Sequence, residues 1–459
     1  MENLYSCLLL LTFPLVLPAK VVTYAVPDAL HQGKTFVHSS KEYQIEISQE
    51  EQSQNLFVYN MEATHVTNNS KTTAWVNFSF SGSIQVTVTK LKGGIDFYQV
   101  LPRSAGIVPQ KKGRSITFQL HKPGHYSIEF EQGIRIEHPL LLFANPLEQN
   151  VPKAEDPEVI FFGPGLHDIG EKYLVPAGKT IYLDGGAYVR GQFYAENIDS
   201  VIIRGRGILS GEAYPARTAE HMITLRNAHN IEIEGITIVH APRYMIALGG
   251  QYHWIHQVKM MGWWFSTDGV SAGEHALIED CFFKVNDDAI KLYSSFTVAR
   301  NNVIWQMENG AAFMISWNGG KDFGHCQVSN IEIIRVEHEW DNENLAVVCA
   351  VHGGKANIQD FTFENITIDN SNWRIFHLVT RPNRWGKWDP AQGSLGTMTF
   401  RNFTYYGVPG IKNLIAGHDQ QHPVFGLHFE NIQINGRQQS NFSDYFIIDQ
   451  ETTREITIH

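Results

Sequence analysis

Apolar and polar residues alternate along this chain in two different textures, one after the other. From about Val21 to Phe143 the alternation runs in short segments of strand length: TAWVNFSF (73–80), SIQVTVTK (83–90), RSITFQL (114–120) and HYSIEFEQ (125–132). Gly93-Gly94, Lys112-Gly113 and Pro123-Gly124 separate them as turns separate hairpin strands. A period of two with one apolar face per strand predicts an antiparallel β-sandwich over residues 20–145. Pro139, Pro146, Pro152 and Pro157 then punctuate a stretch with few periodic apolar residues, and 146–158 reads as a linker.

From residue 159 to 459 the pattern becomes a loose repeat. NIEIEGITI (230–238), NIEIIRV (330–336), IQDFTFENITI (358–368) and LHFENIQI (427–434) share one design: a strand, a polar corner, a second short strand. Weaker copies lie at 201–208, 277–283, 298–304 and 398–403. Units this small cannot bury their own apolar face and must stack on one another, which predicts a right-handed parallel β-helix. Leucine-rich repeats are disfavoured, because no LxxLxL signature recurs. The fold expected is therefore all-β: a sandwich followed by a β-helix.

The repeat also sets a register. Aligning Ser266-Thr267-Asp268-Gly269-Val270 with Asn286-Asp287-Asp288-Ala289-Ile290 on Val270 and Ile290 puts Asp268 opposite Asp288, 20 residues apart. Ile246 and Phe313 continue the same stack on the flanking coils. Asp268 and Asp288 are thus expected on neighbouring rungs, about 5 Å apart along the helix axis. Strand alternation sends Asp287 the other way, with Lys291 and Tyr293. All three acids meet in one cleft only where the strand bends or ends near Asp287–Asp288. Like charges at close range raise one another's pKa, so a triple carboxylate invites a use, and glycoside hydrolysis is one. There one acid stays protonated to donate to the leaving oxygen while an ionised partner activates water. The bland alternatives are a Ca²⁺ site or a polar loop, but no further ligand pattern accompanies the acids, and no metal or cofactor is expected.

Composition narrows the substrate. A net charge of -11 without a basic cluster argues against nucleic acid and weighs mildly against a polyanionic glycan, unless one local basic groove overrides it. Ten tryptophans and 17 tyrosines offer flat faces suited to sugar rings. Tyr244, one rung before Asp268, with Trp264, Trp317 and Asn318, are candidate subsite walls beside Tyr293. Lys291 reads as a donor to a sugar hydroxyl. The polar insertion Arg381-Pro-Asn-Arg384-Trp385-Gly-Lys-Trp388 could line a cleft but offers no register by which to place it. Cys281, Cys326 and Cys349 lack metal or disulfide spacing and read as buried thiols. Residues 1–19 resemble a secretory signal peptide, and no other run is long and apolar enough to cross a membrane, so a secreted or periplasmic protein is expected.

The two acidic blocks, WWFSTDGV (263–270) and NDDAIKLYS (286–294), resemble the conserved blocks of glycoside hydrolase family 49, the dextranases and isopullulanases. More distantly they are similar to polygalacturonase-type β-helix enzymes, as is the opening coil Tyr182-Leu183-Asp184-Gly185-Gly186. The resemblance implies a sandwich plus β-helix, inversion of configuration, Asp287 as proton donor, and Asp268 with Asp288 holding water. It favours an endo-dextranase cutting α-1,6 bonds, with isopullulanase or another related hydrolase, including one for sulfated algal glycans, as alternatives. The pectinase pattern departs at Asn309-Gly310-Ala311-Ala312-Phe313, where no Gly-His-Gly stands. A carbohydrate-binding β-helix without catalysis and a polysaccharide lyase are the readings from other classes. Oligomeric state is not legible.

Overall fold

The computed structural model describes residues 19–63, 70–340, 343–385, 393–442 and 444–459. Residues 1–18 of the expected 1–19 signal segment, and Trp388, lie outside the described residues. Two sheets face each other first. One is ordered Gln52–Leu56, Tyr43–Gln49, Ile84–Lys90, Ser115–Leu120, Gln110–Lys112, antiparallel throughout. The other is built around Thr72–Ser81, Leu140–Asn145 and Gly124–Glu129. One pairing in it departs from the antiparallel expectation: Leu140–Asn145 runs parallel to Thr72–Ser81. That strand, LLLFAN, is buried on both faces, which is why its sequence shows no alternation. Leu140, Leu142 and Ala144 point into the sandwich core. Leu141 and Phe143 point outward against Trp263, Phe282 and Trp305 of the second domain.

The remaining strands, Val159–Phe162 through Thr453–Ile458, form one 26-stranded sheet wound as a right-handed parallel β-helix. Its interior is a stack of aliphatic residues, for example Ile181, Ile203, Ile233, Ile255 and Ile278 in successive register. The polar corners have a physical basis. Asn330, Asn365, Asn402 and Asn431 all take a left-handed φ between 53° and 58°, which asparagine tolerates better than bulkier residues. Each passes its side-chain amide N–H to the side-chain oxygen of the asparagine one coil before, at 2.8–3.1 Å along Asn330–Asn365–Asn402–Asn431. Cys281, Cys326 and Cys349 are free and buried. Among the described residues no helix is long and apolar enough to cross a membrane.

The register expected around the acids is observed: Ile246 pairs with Val270, Val270 with Ile290, and Ile290 with Phe313.

Candidate active site

The acids sit where the chain turns a corner. Asp268 precedes the two-residue strand Val270–Ser271, and Asp287 and Asp288 lie between the strands Phe282–Val285 and Ile290–Lys291. Pleat alternation does not apply outside a strand, so Asp287 and Asp288 both reach one cleft although they are adjacent. Carboxylate oxygens of Asp268, Asp287 and Asp288 lie within 4.8 Å of one another.

Close backbone packing holds this corner. A Cβ on Gly310 would fall 2.3 Å from the Asp287 carbonyl carbon and 2.5 Å from the Asp288 nitrogen, and Gly310 has φ +82°. Glycine alone fits there. A Cβ on Gly269 would fall 2.3 Å from the Ala289 oxygen. Buried Asn286 ties three coils together: its Nδ2 donates to the Trp263 carbonyl (2.6 Å), its Oδ1 accepts from Asn309 N–H (3.0 Å), and its backbone N–H donates to Thr267 Oγ1 (3.3 Å). Gln306 Nε2 donates to the Asp287 carbonyl oxygen at 3.0 Å.

Electrostatics divide the three acids. Lys291 Nζ lies 2.6 Å from Asp268 Oδ1 and 2.5 Å from Asp288 Oδ2, with all three side chains buried. Ala311 N–H donates to Asp288 Oδ1 at 3.0 Å. Burial alone would lower the Lys291 pKa, but the two carboxylates outweigh it and hold the ammonium well above its ordinary value. Burial raises Asp268, and Asp288 adds to the rise, while the Lys291 ammonium opposes it. Asp287 has no ion-pair partner among the described residues and keeps some solvent contact. Its place deep in the cleft, then the charges of Asp268 and Asp288, hold its carboxyl well above the usual carboxylate range. The arrangement therefore favours a neutral Asp287 beside two carboxyl groups that share the Lys291 ammonium.

Lys291, expected as a donor to a sugar hydroxyl, directs two of its three N–H donors to Asp268 and Asp288. The same ammonium supplies, from the chain itself, the positive charge that a metal ion would bring to this carboxylate cluster.

The acids lie in a cleft of about 1010 Å³ that also takes in Tyr244, Tyr293, Trp317 and Asn318. Lys291 Nζ stands 5.0 Å from the Tyr244 ring centroid and 5.3 Å from that of Tyr293. Trp264, in contrast, is not part of the cleft lining. The turn that it opens uses its carbonyl, which accepts the Thr267 N–H and hydroxyl at 2.9 and 2.7 Å, and carries the next residue, Phe265, to the wall instead. Phe265 meets Trp340 edge-on at 5.5 Å.

Sequence reasoning missed Trp340, Asn344, Arg217, Arg243 and His221, all of which line the cleft. They come from loops between short strands, where no periodicity registers them. Burial lowers the His221 pKa to about 4, so its neutral ring accepts the Tyr244 backbone N–H at Nδ1, 3.1 Å away. Arg384 and Trp385 were visible as part of a tryptophan-bearing insertion. They line the far end of the cleft, where Asn318 Nδ2 donates to the Trp385 carbonyl at 3.2 Å.

No protein-family model matches the chain. It is 27% identical over 346 residues to a dextranase of Arthrobacter globiformis, covering 63% of this chain and 53% of that one. It is 21% identical over 400 residues to an isopullulanase of Aspergillus niger, covering 72% and 71%. The chain thus spans about half the length of the A. globiformis dextranase. Among solved structures, Dex49A from Penicillium minioluteum superposes with a TM-score of 0.72 over 92% of this chain and 95% of that one, at 17% identity. The chain is thus similar in sequence to dextranases and an isopullulanase, the enzymes of glycoside hydrolase family 49, and shares the fold of Dex49A.

Proposed function

We propose that this protein is an inverting, endo-acting glycoside hydrolase that cuts α-1,6-glucosidic bonds of a dextran-like backbone. The observation that carries the reading is the division of the three acids: Asp287 lifted and without a cation, Asp268 and Asp288 sharing Lys291. Asp287 protonates the glycosidic oxygen as the bond breaks. Asp268 and Asp288 orient a water on the opposite face of the ring and take its proton as it attacks the anomeric carbon. Water gives its hydroxyl to the anomeric carbon, and the leaving sugar keeps the proton from Asp287.

The spacing of the acids needs a separate argument. Oxygens within 4.8 Å lie nearer the ~5–5.5 Å of retaining enzymes than the ~6.5–9.5 Å usual for inverting ones. A retaining mechanism, however, needs a carboxylate oxygen free to bond the anomeric carbon. Asp288 has Oδ2 on Lys291 and Oδ1 on Ala311 N–H, and Asp268 gives Oδ1 to Lys291. Oxygens held this way orient a water better than they attack. The relatives named dextranase and isopullulanase support a glucan as substrate. A polymer of that size is met outside the cytoplasm, which supports secretion.

The test is the anomeric form of the first product. Proton NMR during hydrolysis of dextran is expected to show the β-anomer first. First appearance of the α-anomer removes inversion, and no product from dextran or pullulan removes a neutral glucan as the substrate.

A further inference from the structure

The cleft carries a positive charge that its chemistry does not use. In a chain of net charge -11, three exposed arginines line this one cleft: Arg217, Arg243 and Arg384. Among the described residues none of them pairs with a carboxylate. Elsewhere pairing is the habit, as in Arg190–Asp168, Arg300–Glu279 and Arg401–Glu430. The arginines of the cleft are anchored without being neutralised. Arg217 Nη2 donates to the Phe265 carbonyl at 3.0 Å, and Arg243 Nη2 to the Arg217 carbonyl at 2.9 Å. Arg384 lies over the exposed Trp385 ring at 5.2 Å.

Their order along the β-helix matters as much as their number. Arg217 and Arg243 precede the strands Ile223–Glu234 and Ile246–His256, on coils before Asp268. Arg384 follows Phe376–Thr380, three rungs beyond Ile290–Lys291 through Phe313–Ser316 and Val348–His352. At about 5 Å per rung, Arg243 and Arg217 stand one and two rungs before Asp268, and the Arg384 loop folds back onto Trp317 and Asn318 beyond Asp288, so fixed positive charge flanks the acids on both sides. A neutral glucan gains little from uncompensated guanidinium groups, whose mutual repulsion the fold must bear. A chain bearing sulfate or carboxylate groups meets planar donor forks suited to oxyanions.

From this geometry we infer that the glycan taken by this cleft carries fixed negative charge, as sulfate ester or carboxylate, on sugars either side of the cleavage point. The inference rests on the hydrolase reading for its cleavage point, but its test does not. Binding is measured by calorimetry on Asp287→Asn, with size-matched oligomers of dextran, dextran sulfate and carboxymethyl-dextran, at low and high salt. At least one charged oligomer is expected to bind roughly tenfold tighter than dextran at low salt and to lose that advantage at high salt. The sulfate and carboxymethyl arms tell which anion is preferred. Arg217→Ala with Arg243→Ala, and Arg384→Ala, are each expected to reduce the advantage, whereas Arg114→Ala on the sandwich leaves it. Equal or tighter binding of neutral dextran overturns the inference and leaves the hydrolase reading intact, as does an advantage unchanged in the cleft variants. Charged-oligomer binding by a wild type that cleaves none of the three keeps the inference and overturns the hydrolase reading.

Discussion

Replacing Lys291 with methionine keeps most of the apolar stem and deletes the ammonium that Asp268 and Asp288 share. At an effective dielectric of ~20, one charge pair at 2.6 Å attracts by about 6 kcal/mol. Desolvation of the three groups cancels much of that, and removing one partner of a buried pair costs about 3–5 kcal/mol. The side chains of Asp268, Asp288 and Lys291 are 6% exposed or less, so water does not replace the lost contact. The variant relieves the penalty by taking up a proton on the pair, whose pKa then stands well above the unfolded value of about 3.9. Between those values the native state binds more protons than the unfolded state, so stability falls as pH rises through the window. Burial gives wild-type Asp268 a slope of the same sign, and the variant adds to it. Unfolding free energies from urea titrations near pH 4 are therefore expected to differ from wild type by about 1 kcal/mol or less, and near pH 8 by about 3 kcal/mol. Turnover falls over the same range, because a protonated pair cannot accept a proton from water. Equal midpoints near pH 8, or a gap that widens toward acid, would refute the shared-lysine reasoning.

Three further outcomes follow from the site. Asp287→Asn keeps an oxygen for the Asp288 N–H, now 3.0 Å from Oδ1, and removes only the proton; reducing-sugar release should drop by roughly 10²–10⁴ while the melting temperature stays near wild type. Gly310→Ala places a methyl 2.3 Å from the Asp287 carbonyl carbon at φ +82°; a loss of about 1–3 kcal/mol in unfolding free energy is expected, with a larger fractional loss of kcat than of substrate binding. Prolonged dialysis against EDTA should leave hydrolysis unchanged, because Lys291 already provides the cation between Asp268 and Asp288; restoration by an added divalent ion would contradict that.

The parts of this structure legible in the sequence are those governed by period. Ile246, Val270, Ile290 and Phe313 fall in register because every coil must return an apolar residue to the same interior column. That column carries Asp268 and Asp288 with it. Periodicity failed where the chain leaves the strand. Alternation holds for Lys291, which follows the core residue Ile290 in its strand and lines the cleft, but fails at Asp287 and Asp288, which lie in a corner where adjacent acids both reach the cleft. The strand Leu140–Asn145 was hidden for the opposite reason, since two apolar faces leave nothing to alternate. Arg217, Arg243 and Trp340 sit on loops whose lengths differ from coil to coil, and no register connects them to the acids.

The division of roles among the acids can be separated from their mere presence by the pH profile of Asp288→Asn. In wild type the profile of kcat/KM is expected to be a bell whose apparent pKa values belong to the group as a whole. Its acid limb reports ionisation of the pair and its basic limb the loss of the Asp287 proton. Asp288 is one of the charges that lift Asp287 and one that lift Asp268. Removing it also leaves the Lys291 ammonium to Asp268 alone. Every one of these changes lowers a pKa, so both limbs of the bell should move toward acid, the basic limb by on the order of one pH unit or more. Lys291→Met predicts the reverse, since losing the cation raises both. Were Asp288 itself the proton donor, its replacement by asparagine would instead abolish the basic limb, and Asp287→Asn would retain it. A stationary basic limb in Asp288→Asn would mean that the two carboxylates are not coupled, and the assignment of Asp287 as the acid would lose its physical basis.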